Sequence, residues 1–422
     1  MRKLGRTFRI RKKKRNKTLF FDDSIEELYI WMRNKKFQMK KVKPALFNDT
    51  GRGLKSYEVI NAGDVLISVP YNSLITYETV MSSYLHIILS KYHQSLSTME
   101  MISVFLMCEK LKGSSSYWHP YIKSLPIEYV LPATFPLEIL NCIPKIVAEV
   151  VKQQNVLLKK TFKRLKKLLD AIENHFKEFF GLLTYEIFQW SWLSVNTRCI
   201  YMKSVKINND PLRNHNDLAL APFLDLLNHS PYVQVKAEFN IKTKCYEIIH
   251  LNNIKKYHQV FINYGFHSNK TLFLEYGFVI PDNPNDCIFF NWDEILLAFH
   301  SVENDTNIEE KVNFLQHFNL IRKLGCHREG FTWNLDICLK VLSASNYSRK
   351  NLEDIYFNNF YNPKDENTYK RISKQILKTK LKEHSYNFND KKSSSFMSKC
   401  LKLVQQFCDE ERNLLIKNLS IL

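Results

Sequence analysis

The chain has 422 residues, 45% of them hydrophobic, which is too many for one ordinary core and enough for two or three domains. The longest apolar candidate, Leu218 to Leu227, is broken by Pro222 and Asp225, so no membrane span is expected. Nine scattered cysteines, an odd number with no C-x-x-C pair, argue against a disulfide framework and a cysteine-built zinc site, and predict an intracellular chain with reduced thiols.

The formal charge of +19 is unevenly placed. Ten of the first seventeen residues are Lys or Arg with no acid among them, leaving +9 on the rest. MRKLGRTFRIRKKKRNK is too poor in apolar residues to fold alone and reads as a solvated, disordered arm over 1–23. Such a run also serves as a nuclear import signal or a phosphate-binding arm. The tight Lys12, Lys13, Lys14 cluster fits a mitochondrial presequence less well, and no apolar block of a secretory signal is present.

After the arm, Ser24-Ile-Glu-Glu27 has the pattern of a capping box and predicts a helix through Trp31 and Met32. Gly51-Arg-Gly53-Leu, Ala62-Gly63-Asp64 and the run Val65 to Val69, closed by Pro70, predict turns and short strands. From about 86 to 197 the pattern is helical. Val147, Val151, Leu158, Phe162, Leu165, Leu169, Ile172 and Phe176 form one apolar stripe. The opposite face carries Lys159, Lys160, Lys163, Arg164, Lys166 and Lys167, more often a solvated face than a nucleic-acid site.

Strands return in a hairpin, with Val233, Val235, Ala237 and Phe239 alternating before Tyr246 and Ile248, and then in His258 to Tyr264, which ends in a turn at Gly265. Beyond about 290 the chain reads as wholly helical. Asn291-Trp-Asp-Glu294 and Thr306-Asn-Ile-Glu309 are capping patterns, a polar loop covers Asn387 to Ser395, and Leu401, Val404, Cys408, Leu415 and Leu419 mark a last amphipathic helix. No P-loop, H-E-x-x-H or Rossmann glycine pattern occurs.

Only ten glycines occur, well below the usual share of about 7%. Half of them, Gly51, Gly53, Gly63, Gly265 and Gly277, fall in the two β-rich regions. Each alone is most simply a turn glycine. The apolar run Phe223-Leu-Asp-Leu-Leu-Asn-His-Ser-Pro231 is odder, because it ends in Asn228 and His229, and buried polar groups are costly unless satisfied.

Gly51-Arg-Gly53-Leu, Asp225-Leu-Leu-Asn228-His229-Ser, Ile262-Asn-Tyr264-Gly265 and Asn269 to Glu275-Tyr276-Gly277-Phe278, in that order and spacing, resemble the SET-domain protein methyltransferases. The long helical interruption and helical C-terminal region resemble the subgroup typified by the RuBisCO large-subunit methyltransferase. The resemblance implies an α+β fold: a β-rich SET domain with a pseudoknot over 24–285, split by a helical insert at about 86–197, followed by an all-α substrate-binding domain over 286–422.

It also implies S-adenosyl-L-methionine as cofactor. The backbone at Arg52, Gly53 and Leu54 would cradle its methionine part, and Asn228 and His229 would hold the nucleoside, His229 largely through its main chain. Arg198, at the end of Asn196-Thr-Arg198, and Asp225, as an internal brace, would complete the cofactor surroundings together with Tyr264. Tyr264 would be the catalytic residue and Tyr276 and Phe278 would line the substrate channel, with no metal. His229 alone would be a hydrogen-bonded core histidine, a reading that the ordered set reverses, and for Tyr276 and Phe278 an ordinary core role fits nearly as well.

Methyl transfer from a sulfonium to an amine moves a positive charge without creating one, so it needs alignment and a dry channel more than a metal or strong base. A lysine of pKa about 10.4 must lose a proton at a cost of about 4–5 kcal/mol at neutral pH, which a dry aromatic channel lowers. The implied function is protein-lysine N-methylation of histones or other nuclear or cytosolic proteins, with a nucleic-acid or nucleosome contact through the arm. The alternatives are protein-histidine methylation and a noncatalytic basic adaptor that keeps the fold.

Overall fold

The computed structural model describes residues 22–37, 41–202, 218–303, 308–383 and 395–422. Most of the expected basic arm, the Thr306 cap and most of the expected polar loop from Asn387 lie outside these. The chain divides into two compact units: Met1–Tyr129 with Val156–Gly265, and Val130–Asn155 with Phe266–Leu422.

The first unit opens with a helix, Asp23–Arg33. Its cap is Asp22, whose carboxylate accepts from the Ile25 N–H, while Ser24 donates its hydroxyl to the same carboxylate. The expected capping box at Ser24 is thus displaced: an Asp two residues earlier offers a better acceptor for the first helical N–H groups.

Strands β1 (Val42–Phe47) and β2 (Gly51–Ser56) form a hairpin in which Ala45 faces Gly53. Strand β3 (Val65–Pro70) follows, and helices then dominate to Arg198, including Thr98–Leu111, Lys145–His175 and Tyr185–Arg198. Along the 31-residue helix, which runs from the second unit into the first, Val147, Val151, Leu158, Leu165, Leu169 and Ile172 are buried. The six basic residues from Lys159 to Lys167 are all exposed, as a solvated face requires.

Strands β4 (Cys199–Tyr201) and β5 (Leu218–Leu220) pair with each other. The two-residue β6 (Asn228–His229) precedes a hairpin of β7 (Val235–Asn240) and β8 (Cys245–His250), in which Phe239 faces Tyr246, and β3 joins β8.

Strand β9 (Gln259–Ile262) decides the topology. The sheet order is β1-β2-β9-β6, with β9 antiparallel to β2 and parallel to β6. A late strand therefore lies between two earlier ones, the arrangement a pseudoknot requires. This insertion puts Gly53 and Asn228, far apart in sequence, on one sheet, with Tyr264 two residues past the end of β9.

The second unit is mainly helical, but it is not all-α. Strands β10 (Cys287–Phe289), β11 (Gly325–His327) and β12 (Gly330–Phe331) form a small antiparallel sheet that the sequence reading did not include. Runs of two or three residues are too short to establish a period of two. The helices of this unit are Trp292–His300, Ile308–His317, Trp333–Ser343, Arg349–Asn358, Glu366–Glu383 and Ser395–Ile421, of which Trp333–Ser343 and Ser395–Ile421 pack against the sheet. The Asn291 capping box is present as expected, and Val404, Cys408 and Leu415 are buried on the last helix.

Within this unit a π-helical turn, Leu272–Tyr276, ends at Gly277 with φ +76°. A Cβ on Gly277 would stand 2.3 Å from the Val130 carbonyl oxygen. Two constraints coincide there, a left-handed backbone and a carbonyl with no room to yield. Gly277→Ala should therefore lower stability by at least ~2 kcal/mol, read as a loss of the denaturation midpoint; an unchanged midpoint would contradict the packing at Val130.

Candidate active site

The segment that raised the question of buried polar groups is shaped by a bend. Phe223 adopts φ +72°, rare for a bulky residue, and its fully buried ring packs 4.9 Å from that of Phe37. The bend starts a 3-10 turn, Leu224–Leu226, that buries both leucines and turns Asp225 inward.

The Asp225 carboxylate is 4% exposed and accepts from Arg198 Nη1 at 3.1 Å and from the Tyr121 hydroxyl at 3.2 Å. Arg198 Nη1 also lies 3.2 Å from the Asp225 carbonyl oxygen. Burial opposes the charge on Arg198, but the adjacent carboxylate outweighs it and holds the guanidinium above its ordinary pKa. Asp225 is thus the expected brace, tying the end of the Tyr185–Arg198 helix to the bend. Tyr121, the third member, was missed by the sequence reading. It lies in the six-residue helix His119–Ser124 inside the insert, where no motif marks it.

Asn228 and His229 then enter the sheet beside β9, with Asn228 opposite Phe261 and His229 opposite Ile262. The Asn228 side-chain amide donates to the Arg52 carbonyl oxygen at 2.9 Å. It can do so because residue 53 has no side chain: a Cβ there would lie 2.8 Å from Asn228 Nδ2 and 3.0 Å from Gln259 Nε2. Gly53 thus serves close approach and not a turn: a side chain there would push the Asn228 and Gln259 amides aside.

The Arg52 guanidinium is already engaged. It pairs with Asp22 at 2.6 Å and donates to the Ser124 carbonyl oxygen at 3.0 Å, while remaining half exposed. Leu54 is fully buried. What residues 52–54 present toward Asn228 is therefore main chain.

His229 and Tyr264 form a second pair. His229 Nδ1 accepts from the Tyr264 backbone N–H at 3.0 Å, so the neutral imidazole carries its proton on Nε2. The two rings stack with centroids 5.1 Å apart and planes at 24°. The Tyr264 hydroxyl donates to the Leu227 carbonyl oxygen at 2.6 Å. A phenol whose proton is committed in this way acts toward a further group as an acceptor. The Leu227 carbonyl is a second participant the sequence reading did not find, since main-chain roles leave no residue signature.

The first unit thus brings together Arg52, Gly53, Leu54, Arg198, Asp225, Asn228, His229 and Tyr264. Tyr276 and Phe278 belong to the second unit, where their rings are 6.2 Å apart and His267 lies 5.6 Å from Tyr276. Among the described residues no cluster of His, Cys, Asp or Glu suits a metal ion, all nine cysteines are free thiols, and no helix is long and apolar enough to cross a membrane.

Removing one partner of a buried ion pair strands the other's charge. Asp225→Asn should cost about 3–5 kcal/mol, and combining it with Arg198→Met should cost clearly less than the sum of the two single changes. Urea denaturation of the four proteins tests this, and additive losses would mean that the pair is not coupled.

A family model described as the SET domain matches residues 51–265. SET domain-containing protein 4 of Homo sapiens is 34% identical over 349 residues, which cover 80% of this chain and 78% of that protein. Actin-histidine N-methyltransferase of Mus musculus is 28% identical over 295 residues, 66% of this chain and 47% of that protein. The solved structure of Rubisco LSMT bound to sinefungin and monomethyllysine has a TM-score of 0.63 at 16% identity, covering 95% of this chain and 92% of that one, a likeness of fold. With the matched model and a relative of this identity and coverage, the chain belongs to the SET-domain family of methyltransferases.

Proposed function

We propose that the chain is an S-adenosylmethionine-dependent protein-lysine N-methyltransferase with Tyr264 at its reacting centre. The observation that carries this reading is the convergence on one sheet of a bare backbone at Gly53, the Asn228 amide that closes on it, and a tyrosine fixed by both its N–H and its hydroxyl. A cofactor with a polar amino-acid end and a flat nucleoside suits such a place: main chain at Arg52, Gly53 and Leu54 would hold the first, and Asn228 with the His229 backbone the second. Arg198 and Asp225 serve indirectly, by bracing the bend that delivers Asn228.

When bound, the cofactor supplies an electrophilic methyl group on sulfur. The protein's part is alignment. Tyr264 Oη, its proton held by the Leu227 carbonyl, would accept an N–H of the incoming amine and so aim the nitrogen lone pair. Because its own proton is engaged, Tyr264 orients the amine and is not the group that deprotonates it. The stacked His229 ring limits the phenol's movement, which matters because a misplacement of about 1 Å can cost ~100-fold in rate.

Lysine as acceptor is supported by the fold likeness to a protein solved with monomethyllysine. Histidine is the second reading, favoured by the likeness to an actin-histidine methyltransferase. We extend the proposal to nuclear or cytosolic protein substrates, histones included, with the basic residues at 1–17 contacting nucleic acid. The support for this is their charge alone, since they lie outside the described residues.

Incubating a protein extract with the chain and radiolabelled S-adenosylmethionine, followed by residue analysis, should yield methyllysine. Methylhistidine would establish the second reading, and no transfer despite cofactor binding would leave an adaptor. Tyr264→Phe should lower turnover by at least ~100-fold while calorimetry shows unchanged cofactor affinity. Wild-type turnover in that variant would remove Tyr264 from the chemistry. Gly53→Ala should do the reverse of Tyr264→Phe and weaken cofactor binding; unchanged affinity would count against the Gly53 backbone as the cradle.

A further inference from the structure

A second arrangement suited to a charged nitrogen stands in the first unit and involves none of the residues above. The Lys35 ammonium lies 3.1 Å from the ring centroid of Trp31, 4.2 Å from that of Tyr117 and 5.0 Å from that of Trp118. The three rings meet nearly edge to face, with centroids 5.4–5.6 Å apart. Three aromatic faces around one nitrogen form a box for a cation, held by the attraction between positive charge and ring quadrupole.

The box is firmly built on one side and open on another. Trp118 is almost fully buried, and its backbone N–H donates to the Ser116 hydroxyl at 3.0 Å, whereas Tyr117 is 59% exposed. Trp31 and Lys35 are one helical turn apart at the end of the Asp23–Arg33 helix, so the lysine reaches back over the tryptophan from a turn that includes Lys36 at φ +69°.

The present occupant suits the box poorly. Lys35 Nζ is buried and makes no hydrogen bond, so an ammonium with three donors has given up water without replacement. Burial lowers its pKa to about 7, and the ring faces oppose that by favouring the charged form. A methylated ammonium keeps its charge at every pH when fully methylated, offers no N–H to satisfy, and presents apolar methyl groups to the rings. It avoids both defects.

We propose that Trp31, Tyr117 and Trp118 form a binding site for a methylated lysine of a protein partner, and that Lys35 is an internal plug which such a lysine displaces. A lysine stem already threads the box, which argues for a lysine derivative over other quaternary amines. Displacement would return the Lys35 amine to water and leave methyl groups against the rings. The site is independent of methyl transfer by Tyr264, so it can be tested whether or not the chain is active.

The test uses the full chain, tryptophan fluorescence and three probes: a short peptide with N-trimethyllysine, the same peptide unmodified, and phosphocholine. Lys35→Ala should bind the trimethylated peptide at least tenfold more tightly than the wild-type chain does, and at least tenfold more tightly than it binds the unmodified peptide. Adding Tyr117→Leu to Lys35→Ala should abolish this binding without lowering the thermal midpoint, because Tyr117 is largely exposed. The proposal is overturned if Lys35→Ala gives no gain, if binding survives Tyr117→Leu and so lies elsewhere, or if phosphocholine alone binds.

Discussion

The approach of β2 to the Asn228 side chain, allowed by a missing Cβ at residue 53, is the contact on which the candidate site depends. It joins a hairpin formed near the start of the chain to a two-residue strand, Arg52 and Asn228 being 176 residues apart. Strand β9 lies between β2 and β6 in the same sheet. The hydrogen bond from Asn228 to the Arg52 carbonyl then fixes the register across strands that are otherwise too short to fix it themselves. Such long-range pairing is entropically expensive, which explains why so much of the segment is tied down. Phe223 is locked in the core, Asp225 is bonded to Arg198 and Tyr121, and Tyr264 is held at both its amide and its hydroxyl.

Polar residues at the end of an apolar run are explained by this geometry. The two leucines of the 3-10 turn anchor the bend, and Asp225, Asn228 and His229 each meet a partner delivered by another element. None of these partners is adjacent in sequence. The Asp225 carboxylate and His229 are buried and would be costly if stranded, so both favour the topology that supplies their mates, while the half-buried Asn228 closes the strand contact.

The helical insert, the hairpins and the solvated lysine face were legible because long periodic segments carry many residues' worth of signal. The candidate site was marked by motif order: Gly53, Asn228 and His229 stand on two strands of one sheet and Tyr264 just past the end of a third. Four features were not legible. The Asp22 cap competes with a plausible box two residues on, and only the fold decides between them. The small sheet at 287–331 is built of strands too short for a period. Tyr121 and the Leu227 carbonyl act by position alone, one from an unmarked helix and one through its main chain. The box around Lys35 joins Trp31 to residues 117 and 118, a proximity that no local pattern encodes.

In the proposed function the cofactor lies along the Gly53 main chain and beside Asn228, with its sulfur directed at Tyr264. A crystal of the chain grown with S-adenosylhomocysteine tests this most directly. The account predicts density for the nucleoside within hydrogen-bond distance of Asn228 or the His229 main chain, and the thioether facing the Tyr264 phenol. Density bound elsewhere on the chain would contradict it.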